Sequence, residues 1–368
     1  YFPYMVVYLL MTSPQSWESA GRDWARVANA PAGTGPFRLS RFVPRQSAEL
    51  SRHDGYWDSA RRARLDRILL LPMPEANTRL AALRSGQVDW IEVPPPDAIP
   101  SLRQAGFNVT TGSYPHVWPW FFQMQGANTP FSDVRVRQGL NYCVDREGLV
   151  QLLNGTAEPS VGWLKPSDPA FGNPQNRYRF DAARGRALLA EAGFNAQRPL
   201  RFRVMISTSG SGQMLPLPMN EFLQQNLREA CGVQVEFEVT DWSNLLVATR
   251  TAPGSGVVAN VQSLNPSSPS SDPGVMARYF LRAGTPPNGF NWPGFSDDQF
   301  EAAFTRLESA RTPAEATAAY AQAHERLVDN PPWLFIVHDL NPRAMSRRVT
   351  GFTSVQSWFQ DLVPVNLQ

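Results

Sequence analysis

Residues 130–155, PFSDVRVRQGLNYCVDREGLVQLLNG, constrain the chain more than any other stretch, because they join a turn, two helices and a change of domain. Ser132 and Asp133 carry short side chains that accept hydrogen bonds from the free amides of a helix start, and Asp145 repeats the signal for a second helix. Val136, Leu140, Cys143 and Val144 recur at the three-to-four spacing of one buried face, while Arg135, Arg137 and Gln138 fall on the opposite, polar one. Leu149, Leu152 and Leu153 carry the second helix to Asn154-Gly155, residues that tolerate the left-handed backbone of a helix stop.

Strand and helix signals alternate on both sides of this segment. Residues 1–10 are aromatic and apolar, suiting a strand or a short helix. Phe37, Leu39 and Phe42 alternate as a strand does, residues 48–57 continue that sheet with a hairpin turn at Asp54-Gly55, and further strands are expected at 65–71, 88–93 and 107–111. Leu80 and Leu83 mark an amphipathic helix that closes at Ser85-Gly86. Residues 114–125, YPHVWPWFFQMQ, are the densest aromatic stretch. Beyond the opening segment, strands are expected at 200–206, 233–240, 257–261 and 331–337. Helices are expected at 181–192, 217–230, from Asp241, at 276–280, from 296–298, and from the capping box Thr312-Pro313-Ala314-Glu315 to Asp329. This order argues for α/β layers, and 368 residues allow two or three domains.

The formal net charge is only +2 and the basic residues are scattered, which excludes a nucleic-acid groove or a patch for anionic membranes. Lys165 is the only lysine, so the positive charge is arginine. Cys143 and Cys231 have no metal-ligand or redox spacing; two buried, inert thiols are expected, with a disulfide as the alternative. No apolar run is long enough to span a bilayer. Four histidines occur without HExxH or H-x-H spacing, no G-x-S-x-G elbow is present, and the Gly33-Thr34-Gly35 turn lacks a GK[ST] continuation. Asp297-Asp298 stands at a helix start, where capping accounts for it. No enzyme, metal or cofactor is expected.

Several phrases carry a family pattern. The opening segment reads D-x-R-V-R-Q-x-L-x-Y-x-x-D-R-x-x-L-V; Gly33-Thr34-Gly35-Pro36-Phe37 and the run RLAALRSGQVDW at 79–90 precede it. Residues 180–194, FDAARGRALLAEAGF, and RRVTGF at 347–352 follow in order. The chain thereby resembles the solute-binding proteins of the dipeptide, oligopeptide and nickel ABC importers, solute-binding family 5. The resemblance implies a two-lobed α/β periplasmic-binding-protein-like fold, class II and cluster C type, with hinge-linked mixed-sheet lobes. It places residues 1–125 in the large lobe I, 126–340 in the ligand-binding lobe III and 341–368 in a return to lobe I, with the small lobe II, a first strand and a leader N-terminal to the residues given. It further implies a monomeric periplasmic receptor that closes about a small molecule or peptide and hands it to a permease in the inner membrane. Short peptides are the first expectation; an oligosaccharide, an opine-like compound or a metal chelate, or a chaperone or signalling role, are the alternatives.

The same resemblance suggests where the ligand binds. Peptide-binding relatives often read W-x-x-D-x-x-[DE]-P, the first acid holding the peptide's ammonium; here Pro269 takes that position, and only Asp272-Pro273 matches. Loss of that charge-assisted partner costs about 1.5–3 kcal/mol, unless Asp272 substitutes. Arg250, upstream of this loop, is the candidate for a ligand carboxylate, with a solvated surface residue as the alternative. Asn291, Trp292 and Phe295 are candidates for hydrogen bonding and stacking, or for loop packing. Trp118 and Trp120 either line a cleft or belong to a buried crossing strand. Phe121, Phe122 and Gln123 are the expected first hinge, and Asp339 and Asn341 the second.

Overall fold

A computed structural model describes residues 10–112, 116–126, 129–209, 215–355 and 359–368; the expectation for residues 1–9 lies outside them. The chain divides into two compact units, residues 1–112 with 342–368 and residues 113–341.

The first unit begins with α1 (Pro14–Ser19) and α2 (Trp24–Asn29), then β1 (Phe37–Val43), β2 (Ser47–Arg52) and β3 (Arg67–Leu70). These strands form an antiparallel meander, and the tight turn joins β1 to β2 with Arg45 at φ 63°. The Asp54-Gly55 signal instead lies in the longer connection to β3. α3 (Ala76–Arg84), β4 (Trp90–Glu92), α4 (Ile99–Gln104) and β5 (Asn108–Thr110) follow.

The second unit is built on a six-stranded mixed sheet. Its elements are β6 (His116–Phe122), α5 (Val134–Cys143), α6 (Arg146–Leu152), β7 (Ala157–Pro159), α7 (Ala182–Glu191), β8 (Arg201–Ser207), α8 (Pro216–Cys231), β9 (Gln234–Thr240), α9 (Trp242–Ala248), β10 (Ser263–Leu264), α10 (Pro273–Phe280), α11 (Asp298–Ser309), α12 (Pro313–Asp329) and β11 (Trp333–Asp339). The strand order is β7-β11-β6-β10-β8-β9, with β10, β8 and β9 parallel and the remaining pairs antiparallel. After β11 the chain re-enters the first unit as β12 (Arg343–Met345), between β4 and β5, followed by β13 (Val349–Thr350) paired with β14 (Asn366–Leu367). Leu83, Ile91, Leu102 and Ala344 form a core there.

Every residue of β6 and β11 is buried. Phe121 stacks on Trp333 at 4.4 Å, and Phe122 on Phe131 at 4.6 Å. The boundary between the units falls at 112/113, ahead of β6, because β6 is hydrogen-bonded between β11 and β10; the sequence-based division stood at 125/126.

The helix caps formed as their sequences dictate. Asp133, Asp145, Asp181 and Asp241 each accept a backbone amide at the start of a helix, and Thr312 with Glu315 makes the reciprocal capping box. Three expectations are corrected. Residues 256–258 form a single 3-10 turn rather than an apolar strand, and Val257 is half exposed. Arg137 is buried rather than solvated: it donates to Pro331 O and Asn330 Oδ1, both at 2.9 Å, while Gln138 donates to Asp329 O. These bonds satisfy carbonyls left open where α12 ends. Cys143 and Cys231 are joined in a disulfide that ties α5 to α8. Gly185 of α7 passes beneath it, where a Cβ would stand 2.4 Å from Cys143 Sγ and 3.2 Å from Cys231 Sγ.

Candidate functional site

The Pro- and Ser-rich segment 265–272 runs on from β10 alongside β6, and a local hydrogen-bond chain fixes it. Trp120 Nε1 donates to Asn220 Oδ1 (2.8 Å), Asn220 Nδ2 to Asn265 Oδ1 (2.9 Å), and Asn265 Nδ2 to Pro119 O (2.9 Å). Ser268 then bridges to Val117, its amide donating to Val117 O at 3.0 Å. Each of these groups is buried, where an unmade bond is costly, so the segment has one position.

The serines turn inward. Ser268 Oγ donates to Ser270 O, and Ser271 O accepts from both Trp163 Nε1 (3.2 Å) and the Tyr320 hydroxyl. Burial raises the Tyr320 phenol well above its ordinary value, so it stays a neutral donor. Asp272 caps α10: Oδ1 accepts the Val275 amide at 3.0 Å and Oδ2 the Ser270 hydroxyl at 2.6 Å. Both of its oxygens therefore already have partners in the protein.

A cationic cluster lies on the outer side of this segment. The Tyr279 hydroxyl donates to Ser267 O, and the Tyr279 ring stacks on Phe290 at 5.3 Å. Over Phe290 stand two guanidiniums, Arg250 at 5.1 Å and Arg278 at 5.0 Å from the ring centroid. Both arginines are exposed, and among the described residues neither side chain has a carboxylate or hydrogen-bond acceptor. The ring holds the two planar groups through cation–π attraction while leaving their N–H forks open. Such an arrangement is suited to a carboxylate.

The other residues singled out from sequence have different surroundings. Trp118 and Trp120 lie within β6 and are essentially inaccessible. Asn291 Nδ2 donates to Leu281 O and Phe295 O, and its Oδ1 accepts the Phe295 amide, so it holds its own loop. Trp292 is fully buried, and Phe295 packs edge-on against Phe280 and Phe300. Phe121 and Phe122 are the last two residues of β6 and lie in the core, and the Gln123 backbone amide donates to Gln262 O. Asp339 and Asn341 stand where the chain leaves the second unit: Asp339 Oδ1 accepts the Asn341 amide at 2.6 Å, and Asn341 has φ 48°. Arg250 is thus the one ligand candidate in the cationic cluster, with Asp272 at the end of the adjoining segment. Arg278, Tyr279 and Phe290 were missed; the only signal was an arginine on α10 followed by an aromatic loop.

The model of the bacterial extracellular solute-binding proteins, family 5 (middle region), matches residues 1–300. The glutathione-binding protein GsiB of Salmonella paratyphi A is 27% identical over 345 residues, 93% of this chain and 65% of its own. The chain therefore spans 65% of the length of that relative. Among solved structures, DppA of Helicobacter pylori, in complex with the peptide STSA, superposes with a TM-score of 0.83 at 18% identity, covering 97% of this chain and 68% of that one. The dipeptide-binding protein of Pseudoalteromonas sp. SM9913, in complex with Met-Leu, gives 0.83 at 19% identity, covering 97% and 69%. These likenesses show the fold as that of the two-lobed periplasmic binding proteins. With its family model matched over most of its length, the chain belongs to the bacterial extracellular solute-binding proteins, family 5.

Proposed function

We propose that this chain is part of an extracytoplasmic receptor of an ABC importer, which binds a short peptide or peptide-like acid by its carboxylate and delivers it to the permease. One observation carries the reading: Arg250 and Arg278 share Phe290, exposed and, among the described residues, without an acid of their own. Each charge-assisted bond to a ligand carboxylate contributes about 1.5–3 kcal/mol. Pro269 stands where relatives have an acid for the ammonium, and Asp272 is occupied as a cap. The acid end of the ligand is accordingly the anchored one, and a free amine contributes little. The glutathione named for the relative GsiB fits this chemistry, since that tripeptide carries two free carboxylates.

The protein works as a hinged receptor, without making or breaking bonds; ligand favours the closed form to the extent that it binds that form more tightly. Asp339 and Asn341 serve one crossing between the units. A location outside the cytoplasm is supported by the Cys143–Cys231 disulfide, a bond that persists in oxidising compartments.

Calorimetric titration of the whole protein with glutathione and with Ala-Ala, each beside its carboxyl-amidated form, tests the reading. Binding of at least one acid, weakened at least tenfold by amidation, is expected. Equal affinity for acid and amide would overturn the carboxylate anchor.

A further inference from the structure

A cavity of about 740 Å³ opens elsewhere in the second unit, beside β7 and α6, and none of its lining residues belongs to the Arg250–Phe290 cluster. Its volume lies in the range of small-molecule sites. Phe171, Tyr178 and Phe180 give it an aromatic wall, and Phe180 keeps 48% of its surface exposed.

The charges are unequal: Arg146, Lys165, Arg177 and Arg179 line the cavity against Glu147 and Glu158. Glu158 is matched to Lys165 at 2.6 Å. Arg146 is almost completely buried, and its donors go to Ser160 O, Phe335 O, Asn141 O and Asn141 Oδ1, and among the described residues to no carboxylate. Its hydrogen bonds are satisfied while its charge is not, which leaves a positive potential in a low-dielectric wall. At the other extreme Arg179 is exposed, and among the described residues its side chain has no partner.

We propose that this cavity is a second ligand site, for a small organic anion bearing one carboxylate on an aromatic or aliphatic body. The carboxylate meets Arg179 in the field of Arg146, and the body lies against Phe171, Tyr178 and Phe180. The site is independent of the cluster on Phe290, and its ligand need not be the transported one.

N-acetyl-phenylalanine, which has a ring and a carboxylate but no ammonium, is the probe, titrated calorimetrically into the whole protein beside N-acetyl-phenylalaninamide. In the Arg250→Gln, Arg278→Gln protein, which lacks the anchor on Phe290, binding of the acid is expected, at least tenfold weaker for the amide and on addition of Arg179→Gln. Because Arg179 is exposed, its substitution leaves the core intact; Phe180→Ala, also at the surface, is expected to weaken binding as well. Absence of binding at millimolar probe overturns the proposal. So does binding that survives Arg179→Gln but is lost in the Arg250→Gln, Arg278→Gln protein, which would put the probe on Phe290.

Discussion

Lowering the pH from 7 to 5 should destabilise the second unit through three histidines. His116, His338 and His324 are fully buried, and burial lowers them from 6.5 to about 3, about 3 and about 4. His324 is fixed as a neutral ring, Nδ1 donating to Phe171 O and Nε2 accepting the Leu164 amide. His338 is opposed by the positive charge of Lys165 and by the other two histidines, whereas His116 has the Asp339 carboxylate 3.9 Å away. In each case the folded form prefers the neutral ring, so its stability is complete above the unfolded value near 6.5 and falls as the pH drops towards the folded value. Each ring neutral in the fold but protonated when unfolded gives a slope of about 1.4 kcal/mol per pH unit, so three give about 4 between pH 5.5 and 4.5. From pH 7 to 5 the loss is about 6 kcal/mol, comparable to the whole stability of many domains. Urea unfolding of the whole protein at half-unit pH steps measures the slope directly. His338→Leu should remove about a third of it. A slope below one proton over this window would refute the assignment of three neutral buried rings.

Other substitutions separate structural from ligand roles. Cys143→Ser with Cys231→Ser opens a loop of 88 residues, and the chain-entropy estimate for such a loop is a loss of about 4–5 kcal/mol; a midpoint in urea unchanged between the variant and the oxidised protein would contradict it. Asp272→Ala removes the cap of α10 and should cost about 0.5–2 kcal/mol, with the affinity for an amidated peptide unaltered. A large loss of affinity without loss of stability would instead give Asp272 to the ligand. Asn265→Ala removes the bond that Asn265 Nδ2 donates to Pro119 O and the one its Oδ1 accepts from Asn220 Nδ2, at about 1–3 kcal/mol; thermal unfolding reads this, and an unchanged midpoint would show that segment 265–272 is held by other means.

The parts legible in the sequence are those with a local cause. Asp133, Asp145, Asp181, Asp241 and the Thr312–Glu315 box announce helix starts because the capping side chain and the amide it meets lie within four residues. The aromatic density of residues 114–125 suits a buried crossing strand or a cleft lining, and residues 116–122 form the buried strand. What escaped depends on distant partners. Arg137 looks solvated on its own helix and is buried because α12 ends against it, 193 residues later. Residues 257–261 are apolar enough for a strand, yet Ser263 and Leu264 take the place between β6 and β8. Arg278 and Arg250 are separated by most of a loop and a helix, and only the fold puts both over Phe290. Asn291, Trp292 and Phe295 read from sequence either as ligand contacts or as loop packing, and distant partners decide between the two; their hydrogen bonds and ring contacts close on the protein itself.

Native mass spectrometry of the whole protein purified from its own host, compared with the Arg250→Gln, Arg278→Gln double variant, tests the carboxylate anchor most directly. The expected result is one or more co-purifying peptides or peptide-like acids on the unaltered protein, each with a free carboxylate, and their loss from the variant. A ligand lacking a carboxylate, or the same acid at the same occupancy on both proteins, would contradict the account.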